Sequence, residues 1–225
     1  MNYGLIIAAG KSTRMGSNVD KAFLSLENKP VLAYALEAYQ NCPSIDAIIV
    51  VVRKDRLDSA KGLARLYGGS KIEAVIAGGN LRQDSVQRGL EAMPEEAVLV
   101  SVHDGARPCV TPDLIEATIK VAKRSGAAVA AVRVTDTIKH AERGTTISNT
   151  VDRSKLWAVQ TPQTFKIDLL KRAFAAVVEQ KATVTDESAA VELLGEPVRL
   201  VPASKLNMKI TAPEDLPLAA ACLRL

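Results

Sequence analysis

Tyr3-Gly4-Leu5-Ile6-Ile7-Ala8-Ala9-Gly10-Lys11-Ser12-Thr13-Arg14-Met15-Gly16, followed shortly by Lys21, decides how this chain is read. Residues 3–7 are apolar and predict a buried strand. Ala8, Ala9 and Gly10 leave room for a ligand to approach the backbone. Successive N–H groups of such a turn can face phosphate oxygens. Arg14 adds a planar fork of donors, and Lys21 adds a mobile point charge. The combination suits a nucleoside triphosphate. Two commoner motifs are excluded. A P-loop needs an earlier glycine ahead of Gly10-Lys11-Ser12, where Ala, Ile and Leu stand instead. The dinucleotide fingerprint fails because Ser12 and Thr13 occupy the positions after Lys11.

Outward from this stretch, strand-like runs at 5–8, 47–52, 72–76, 98–102, 127–132 and 198–201 alternate with helical patterns. The helical patterns lie at 31–39, 57–66, 82–92, 114–123, 169–178 and 188–194, and Pro213 opens a last helix. Continuous apolar strands alternating with helices predict an α/β fold: a Rossmann-like, mostly parallel sheet covered by helices on both faces. Ligands of such sheets bind beyond the carboxyl ends of the strands. Residues 133–157 break the alternation. They are polar, rich in Thr and β-branched residues, and turn at Glu142-Arg143-Gly144. This segment reads as a projecting β-hairpin. An isolated hairpin is marginal in water, so it needs a surface to pack on, either its own domain or a second copy of the chain. The expected organisation is one domain over 1–225 with this arm at about 133–157.

The 225 residues, 48% of them hydrophobic, suffice for a core without staples. The N-terminal apolar run is too short for a signal peptide, and no run reaches membrane-spanning length. Cys42, Cys109 and Cys222 are odd in number and widely spaced, which points away from a disulfide framework and toward a cytoplasmic setting. His103 and His140 are too few for a multi-histidine metal centre. Net charge is +4, but the basic residues are scattered and aromatics make up only 4%. That composition argues against nucleic acid and for a pocket that takes small polyanions.

Four further segments fall at strand ends or loops. Gly78-Gly79-Asn80-Leu81-Arg82-Gln83-Asp84-Ser85-Val86 can bring backbone and Ser85 against a base edge; alternatively Asn80 or Asp84 caps the next helix. In His103-Asp104-Gly105-Ala106-Arg107-Pro108, Asp104 stands at a strand tip, where a carboxylate can hold Mg²⁺ directly or through water, or bind substrate hydroxyls. The plainer alternative is an Asp104–Arg107 pair in the turn, and His103 reads best as a hydrogen-bonded structural residue. Thr137 and Arg153 lie on the two arms of the hairpin, and Arg153 can fork onto a phosphate; the plainer alternative is a cross-strand Asp–Arg pair. Residues 157–165 read as a turn around Pro162. Lys209 adds a cation, Thr211 reads as the cap of the last helix, and Thr185-Asp186-Glu187-Ser188 reads as a helix N-terminus. No nucleophile stands paired with a base. Phosphoryl and nucleotidyl transfer rest on positioning and electrostatics. A phosphate monoester, with a second pKa of about 6, attacks as a dianion and needs no general base.

Taken in order, Ala-Ala-Gly-x-x-x-Arg-Met-Gly, Lys21, Gly-Gly-Asn-x-Arg-x-x-Ser-Val, His-Asp-Gly-Ala-Arg-Pro, Asp-Thr-Ile-Lys, Val-Asp-Arg, Gln-Thr-Pro-Gln-Thr-Phe, Thr-Asp-Glu and Asn-Met-Lys-Ile-Thr-x-Pro-Glu-Asp-Leu span the chain. As a set they resemble the 2-C-methyl-D-erythritol 4-phosphate cytidylyltransferases. The resemblance implies transfer of CMP from CTP to methylerythritol phosphate, with Mg²⁺, in the non-mevalonate isoprenoid pathway. It implies that Arg14 and Lys21 stabilise charge at the α-phosphate. Ala8, Ala9, Gly10, Gly79, Asn80 and Ser85 would hold CTP. Asp104, Thr137, Arg153 and Lys209 would orient the second substrate, with Arg153 and Lys209 counted among the catalytic cations. It also implies a homodimer in which Thr137 and Arg153 reach the partner's site.

Three positions depart from the family pattern. Asp20-Lys21-Ala22 replaces Pro-Lys-Gln, Ser12 replaces a glycine, and Leu206 replaces an acidic residue. Asp20 is placed to tether Lys21. Two rivals share much of the pattern: a CDP-ribitol-forming cytidylyltransferase, and a non-catalytic nucleotide-binding regulator of the same fold. The first usually has Ser-Val where Gly105-Ala106 stands here and lacks the Val-Asp-Arg-x-x-Leu-Trp run. The second would be expected to lose Arg14, Lys21 or Lys209.

Overall fold

The computed structural model describes residues 1–10 and 20–224. Arg14 and Ser12 lie outside the described residues. In chain order the elements are β1 (Asn2–Ala8), β2 (Ser25–Leu26), β3 (Lys29–Pro30), α1 (Val31–Asn41), β4 (Ala47–Val52), α2 (Leu57–Leu63), β5 (Ile72–Ala77), α3 (Arg82–Glu91) and β6 (Leu99–Asp104). There follow α4 (Pro112–Ser125), β7 (Ala127–Arg133), β8 (Ile138–His140), β9 (Asn149–Val151), β10 (Trp157–Lys166), α5 (Ile167–Glu179), α6 (Glu187–Glu192), β11 (Arg199–Pro202) and α7 (Asp215–Cys222). The main sheet has seven strands in the order β11-β7-β10-β6-β1-β4-β5. All run parallel except β10, which is antiparallel to both β6 and β7.

The alternation of β1 sets the two layers. Leu5 and Ile7 face a core closed by Val86 and Leu90 of α3 and by Leu170, Phe174 and Val177 of α5. Ile6 and Ala8 face the opposite core, closed by Leu32 and Leu36 of α1 and by Ile115 and Ile119 of α4. Both faces of β1 and β4 are buried, which is why these strands read as unbroken apolar runs. Helix α4 has strong end signals: Thr111 accepts from the Leu114 N–H, Pro112 follows, and Gly126 closes the helix at φ 89°. From β1 the chain crosses to β4 on one side and returns to β6 on the other. The switch point therefore lies between the carboxyl ends of β1 and β6, where the sheet opens a crevice.

The expected strands and helices are present, with ends shifted by a few residues. The exception is β10. Pro162 and the polar run around it read as a turn, yet Trp157–Lys166 is an inner strand. Its register shifts between Val159 and Gln163, and Pro162 sits in that irregularity, where no ladder N–H is required. Its buried polar side chains are satisfied individually. Thr164 Oγ1 lies 2.8 Å from Thr118 Oγ1, and Gln163 donates to Asp186 at 2.9 Å and accepts from the Ser188 N–H at 3.0 Å. The last helix also differs. Thr211 does not cap it; Thr211 N–H and Oγ1 and the Ala212 N–H all donate to the Asp215 carboxylate. The expected hairpin is β8 paired with β9, with Gly144 at φ 59°. Arg133 stacks on Trp157 at its base, 4.6 Å from the ring centroid. Among the described residues no helix is long and apolar enough to cross a membrane, and Cys42, Cys109 and Cys222 are free thiols.

Gly4 shows how closely the layers meet, since a Cβ there would lie 2.4 Å from the Tyr39 ring. Tyr39 is fully buried and its hydroxyl lies 3.0 Å from Ser101 Oγ, so the ring has little room to retreat. Gly4→Ala is therefore expected to destabilise the fold by about 1–3 kcal/mol, read as a lower denaturant midpoint.

Candidate active site

A cleft opens at the switch point. Its walls are Ile7, Ala8, Ala9 and Gly10 from β1 and the turn after it, Asp20–Ala22, Asn80–Arg82 and Ser85 from the α3 side, and Asp104, Ala106 and Lys209. Of the residues expected to hold a nucleotide, Ala8, Ala9, Gly10, Asn80 and Ser85 line it. Gly79 stands just behind, with its N–H donated to Ser85 Oγ at 3.1 Å. Gly78 explains the glycine pair: a Cβ there would lie 2.5 Å from the Ala9 Cβ and 2.6 Å from Ser85 Oγ. Only glycine allows this loop to close against the β1 turn. Asp84, not Asn80, caps α3, accepting from the Leu81 N–H at 3.0 Å. Lys21 lines the cleft on a short 3₁₀ turn. Asp20 stabilises that turn by accepting from the Ala22 N–H, and its other oxygen lies 3.8 Å from Arg56 Nε. Burial raises the Asp20 carboxyl above its ordinary value. Leu206, at the family's acidic position, is exposed.

A second cleft adjoins the first. Val159, Gln160, Thr161, Gln163, Thr185 and Asp186 line it together with Arg107, and it shares Arg82, Asp104 and Lys209 with the first. The boundary between the clefts is thus one carboxylate among cations. Asp104 is 7% exposed. Arg82 Nε donates to one of its oxygens at 3.1 Å, Lys209 Nζ approaches the other at 2.7 Å, and Arg107 Nε lies 3.9 Å away. Burial alone would raise this carboxyl. The charges of Arg82, Lys209 and Arg107 outweigh it and hold the group well below the usual carboxylate range. The turn pair with Arg107 is therefore real but is the longest of three.

One backbone bond and one from the Arg107 side chain bring Lys209 here. The Ile210 N–H donates to Ala106 O at 2.8 Å, and Arg107 Nη1 donates to Asn207 O at 2.8 Å. Asn207 in turn donates to Gln160 and to Thr161 O. Behind Asp104, its own N–H donates to Thr161 Oγ1 at 3.0 Å, and the Thr161 hydroxyl lies 3.0 Å from His103 Nδ1. Arg107 O can only accept, so Nε2–H donates to it at 3.2 Å. Nδ1 of the neutral ring then accepts from the Thr161 hydroxyl. His103 is thus a neutral, fully buried structural residue, as its position suggested. Burial first of all lowers its pKa to about 4.

Sequence reasoning missed Arg82, Glu187 and the β10 contribution. Arg82 forms a bidentate pair with Glu187, which is 0% exposed. A helix N-terminus signal hid Glu187, and nothing short of the fold places it opposite Arg82. Thr137 and Arg153 are not brought to either cleft within one chain. Both are exposed on the arm, where Arg153 donates to Thr135 O at 2.6 Å. The metal role considered for Asp104 meets an unsuitable donor set, because both carboxylate oxygens already face cations. Among the described residues no group of three or more His, Cys, Asp or Glu is placed to hold a metal.

A crevice at the switch point of a mostly parallel sheet, walled by a small-residue turn and cations, defines a nucleotide-binding α/β protein of the nucleotidyltransferase kind. Comparison with known proteins narrows this. The family model described as 2-C-methyl-D-erythritol 4-phosphate cytidylyltransferase matches residues 3–225. A protein of that name from Alkaliphilus oremlandii is 41% identical over 221 residues, covering 98% of this chain and 94% of its own. One from Dehalococcoides mccartyi (strain ATCC BAA-2266 / KCTC 15142 / 195) is 43% identical over 220 residues, covering 98% and 95%. The crystal structure of 4-diphosphocytidyl-2C-methyl-D-erythritol synthase from Anaerococcus prevotii superposes with a TM-score of 0.87 at 30% identity, covering 100% of this chain and 96% of that one. The Thermus thermophilus 2-C-methyl-D-erythritol 4-phosphate cytidylyltransferase gives 0.82 at 34%, covering 98% of each chain. The chain belongs to the 2-C-methyl-D-erythritol 4-phosphate cytidylyltransferase family.

The neutral state of His103 fixes a pH dependence. Its folded pKa of about 4 lies below the unfolded value of about 6.5, so the unfolded chain binds the extra proton between them. The stabilisation is complete above pH 6.5 and is lost as pH falls toward 4, by an amount on the order of 3 kcal/mol. Urea midpoints of wild type should fall over this window, and those of His103→Asn should fall less steeply.

Proposed function

We propose that the switch-point cleft binds CTP, that the adjoining cleft binds 2-C-methyl-D-erythritol 4-phosphate, and that CMP passes between them at the Arg82–Asp104–Lys209 boundary. The products are 4-diphosphocytidyl-2-C-methyl-D-erythritol and pyrophosphate, within the non-mevalonate isoprenoid pathway. One observation carries the assignment of the two substrates: the clefts share Asp104 and Lys209, so groups bound in each meet at one carboxylate and one mobile cation. Family membership supports the choice of substrates.

The chemistry follows from charge. The monoester phosphate, a dianion above its second pKa of about 6, attacks the α-phosphorus of CTP through oxygen, and the bond to pyrophosphate breaks. No side chain has to remove a proton. The work of the protein is to hold two polyanions together and to spread the charge that grows on the α-phosphate. Lys21 and Lys209 border the cleft for that purpose, and the family motif adds Arg14. Asp104, held as an ion, accepts hydroxyl hydrogens of the polyol. Mg²⁺ belongs to this reading as a companion of the triphosphate, whose oxygens supply ligands that Asp104 does not.

The exposed arm supports a homodimer. Thr137 and Arg153 do not reach either cleft of their own chain, and Ile147 on the arm is 60% exposed. In this reading the arm inserts Thr137 and Arg153 beside a partner's second cleft, where the cations among the described lining residues are Arg82, Arg107 and Lys209. The protein works in the cytoplasm, where CTP is available.

Purified protein with CTP and Mg²⁺ should release pyrophosphate only when methylerythritol phosphate is added; equal turnover with ribitol 5-phosphate would refute the substrate assignment. Lys209→Ala should lower kcat by about 10²–10³-fold, the scale of losing one transition-state donor. Asp104→Asn should raise KM for the polyol phosphate while leaving the Mg²⁺ dependence of the rate unchanged. Mixed Arg14→Ala and Arg153→Ala chains should regain activity once subunits exchange, and no recovery in demonstrated heterodimers would exclude the shared site.

A further inference from the structure

Each nitrogen of the Arg82 guanidinium has a carboxylate partner. Two of its nitrogens donate to the two oxygens of Glu187, and Nε donates to Asp104. Both Glu187 oxygens accept from the Arg82 fork, the bidentate arrangement of a carboxylate on a guanidinium. Glu187 lines neither cleft and is 0% exposed, whereas Arg82 lines both. The triad joins three elements: the first residue of α3, the tip of β6 and the first residue of α6. A burial this complete would be a poor way to gain stability, because two apolar residues would fill the space at no desolvation cost.

We propose that Glu187 is a positioning residue for nucleotidyl transfer. It occupies the Arg82 fork so that this cation serves Asp104 and not substrate phosphates. The inference rests on the two-cleft reading above. The physical reason is competition. Arginine binds phosphate bidentately and strongly. An Arg82 released from Glu187 would turn onto the triphosphate entering beside it. Asp104 would then lose its Nε bond and be held from the side of Lys209 and Arg107 alone. The carboxylate would shift from the position that orients the second substrate. With Glu187 in place Arg82 stays on Asp104 and shares that carboxylate with Lys209, and its fork is not offered to phosphate.

This arrangement predicts a split that a purely structural role would not produce. In Glu187→Gln, kcat with methylerythritol phosphate should fall by about 10²-fold, the scale of a 1 Å misplacement near the chemistry. The dissociation constant for CTP, measured directly by calorimetry, should be unchanged or tighter. Because breaking one side of a buried pair can prevent folding, the double variant Arg82→Met/Glu187→Leu is the companion test; it removes both charges together and should fold. It should show a similar loss of kcat with intact CTP binding. Wild-type kcat in either folded variant would overturn the proposal. So would parallel loss of CTP affinity, kcat and melting temperature, or failure of both variants to fold, since each makes the pair a folding element. If wild type binds CTP but releases no pyrophosphate with any polyol phosphate, the two-cleft reading itself fails, and that result is separate from any effect of the variants.

Discussion

The buried carboxylate of Asp104 is the constraint on which the rest of the site depends. A charge at 7% exposure is costly unless it is paired. Here three cations answer it, each delivered by a different route: Arg82 by the start of α3, Arg107 by the turn after β6, and Lys209 by a loop near the C-terminus. Each route then needs its own anchor. The glycine loop packs on Ala9, the Lys209 loop is sewn to Ala106 and Arg107, and Arg82 is held from behind by Glu187. A single strand-tip charge thereby fixes the relative placement of segments more than 100 residues apart in sequence.

The same economy governs β10. An inner strand containing proline and four buried polar side chains looks unfavourable by pattern alone. It is tolerated because each polar side chain has a partner: Gln160 accepts from Asn207, Thr161 takes the Asp104 N–H, Gln163 bonds Asp186 and Ser188, and Thr164 meets Thr118 of α4. The strand is polar because it forms one wall of the second cleft. His103 completes the arrangement from the core side as a neutral link between Thr161 and the Arg107 carbonyl.

How much of this was legible follows from which forces are local. Strand β4 was readable to the residue, since both of its faces are apolar. The start of α3 and the hairpin at 133–157 were readable from turn residues and periodicity. The nucleotide-side wall followed from small residues at a strand end, and the family pattern named Lys21, Asp104 and Lys209 before any geometry. Strand β10 was not readable, because Pro162 and the glutamines and threonines mimic a turn when their partners are unknown. Glu187 looked like an ordinary first-turn acid, with Asp186 as the true cap beside it. Cys109 and Cys222 looked far apart, yet the final helix brings both to one surface groove away from the two clefts.

The sequence by itself determined the α/β class, the strand that opens the site, the family, and the residue types that meet polyanions. Those are consequences of hydrophobic period, small-residue turns and motif order, all of which act over short stretches of chain. Only the tertiary structure decided that two clefts share one boundary, that Asp104 stands among three cations, and that Glu187 holds Arg82 from beneath. Such facts depend on burial and on distances across the sheet. A charge acquires its function from what the fold places within a few ångströms of it, and no local pattern records that.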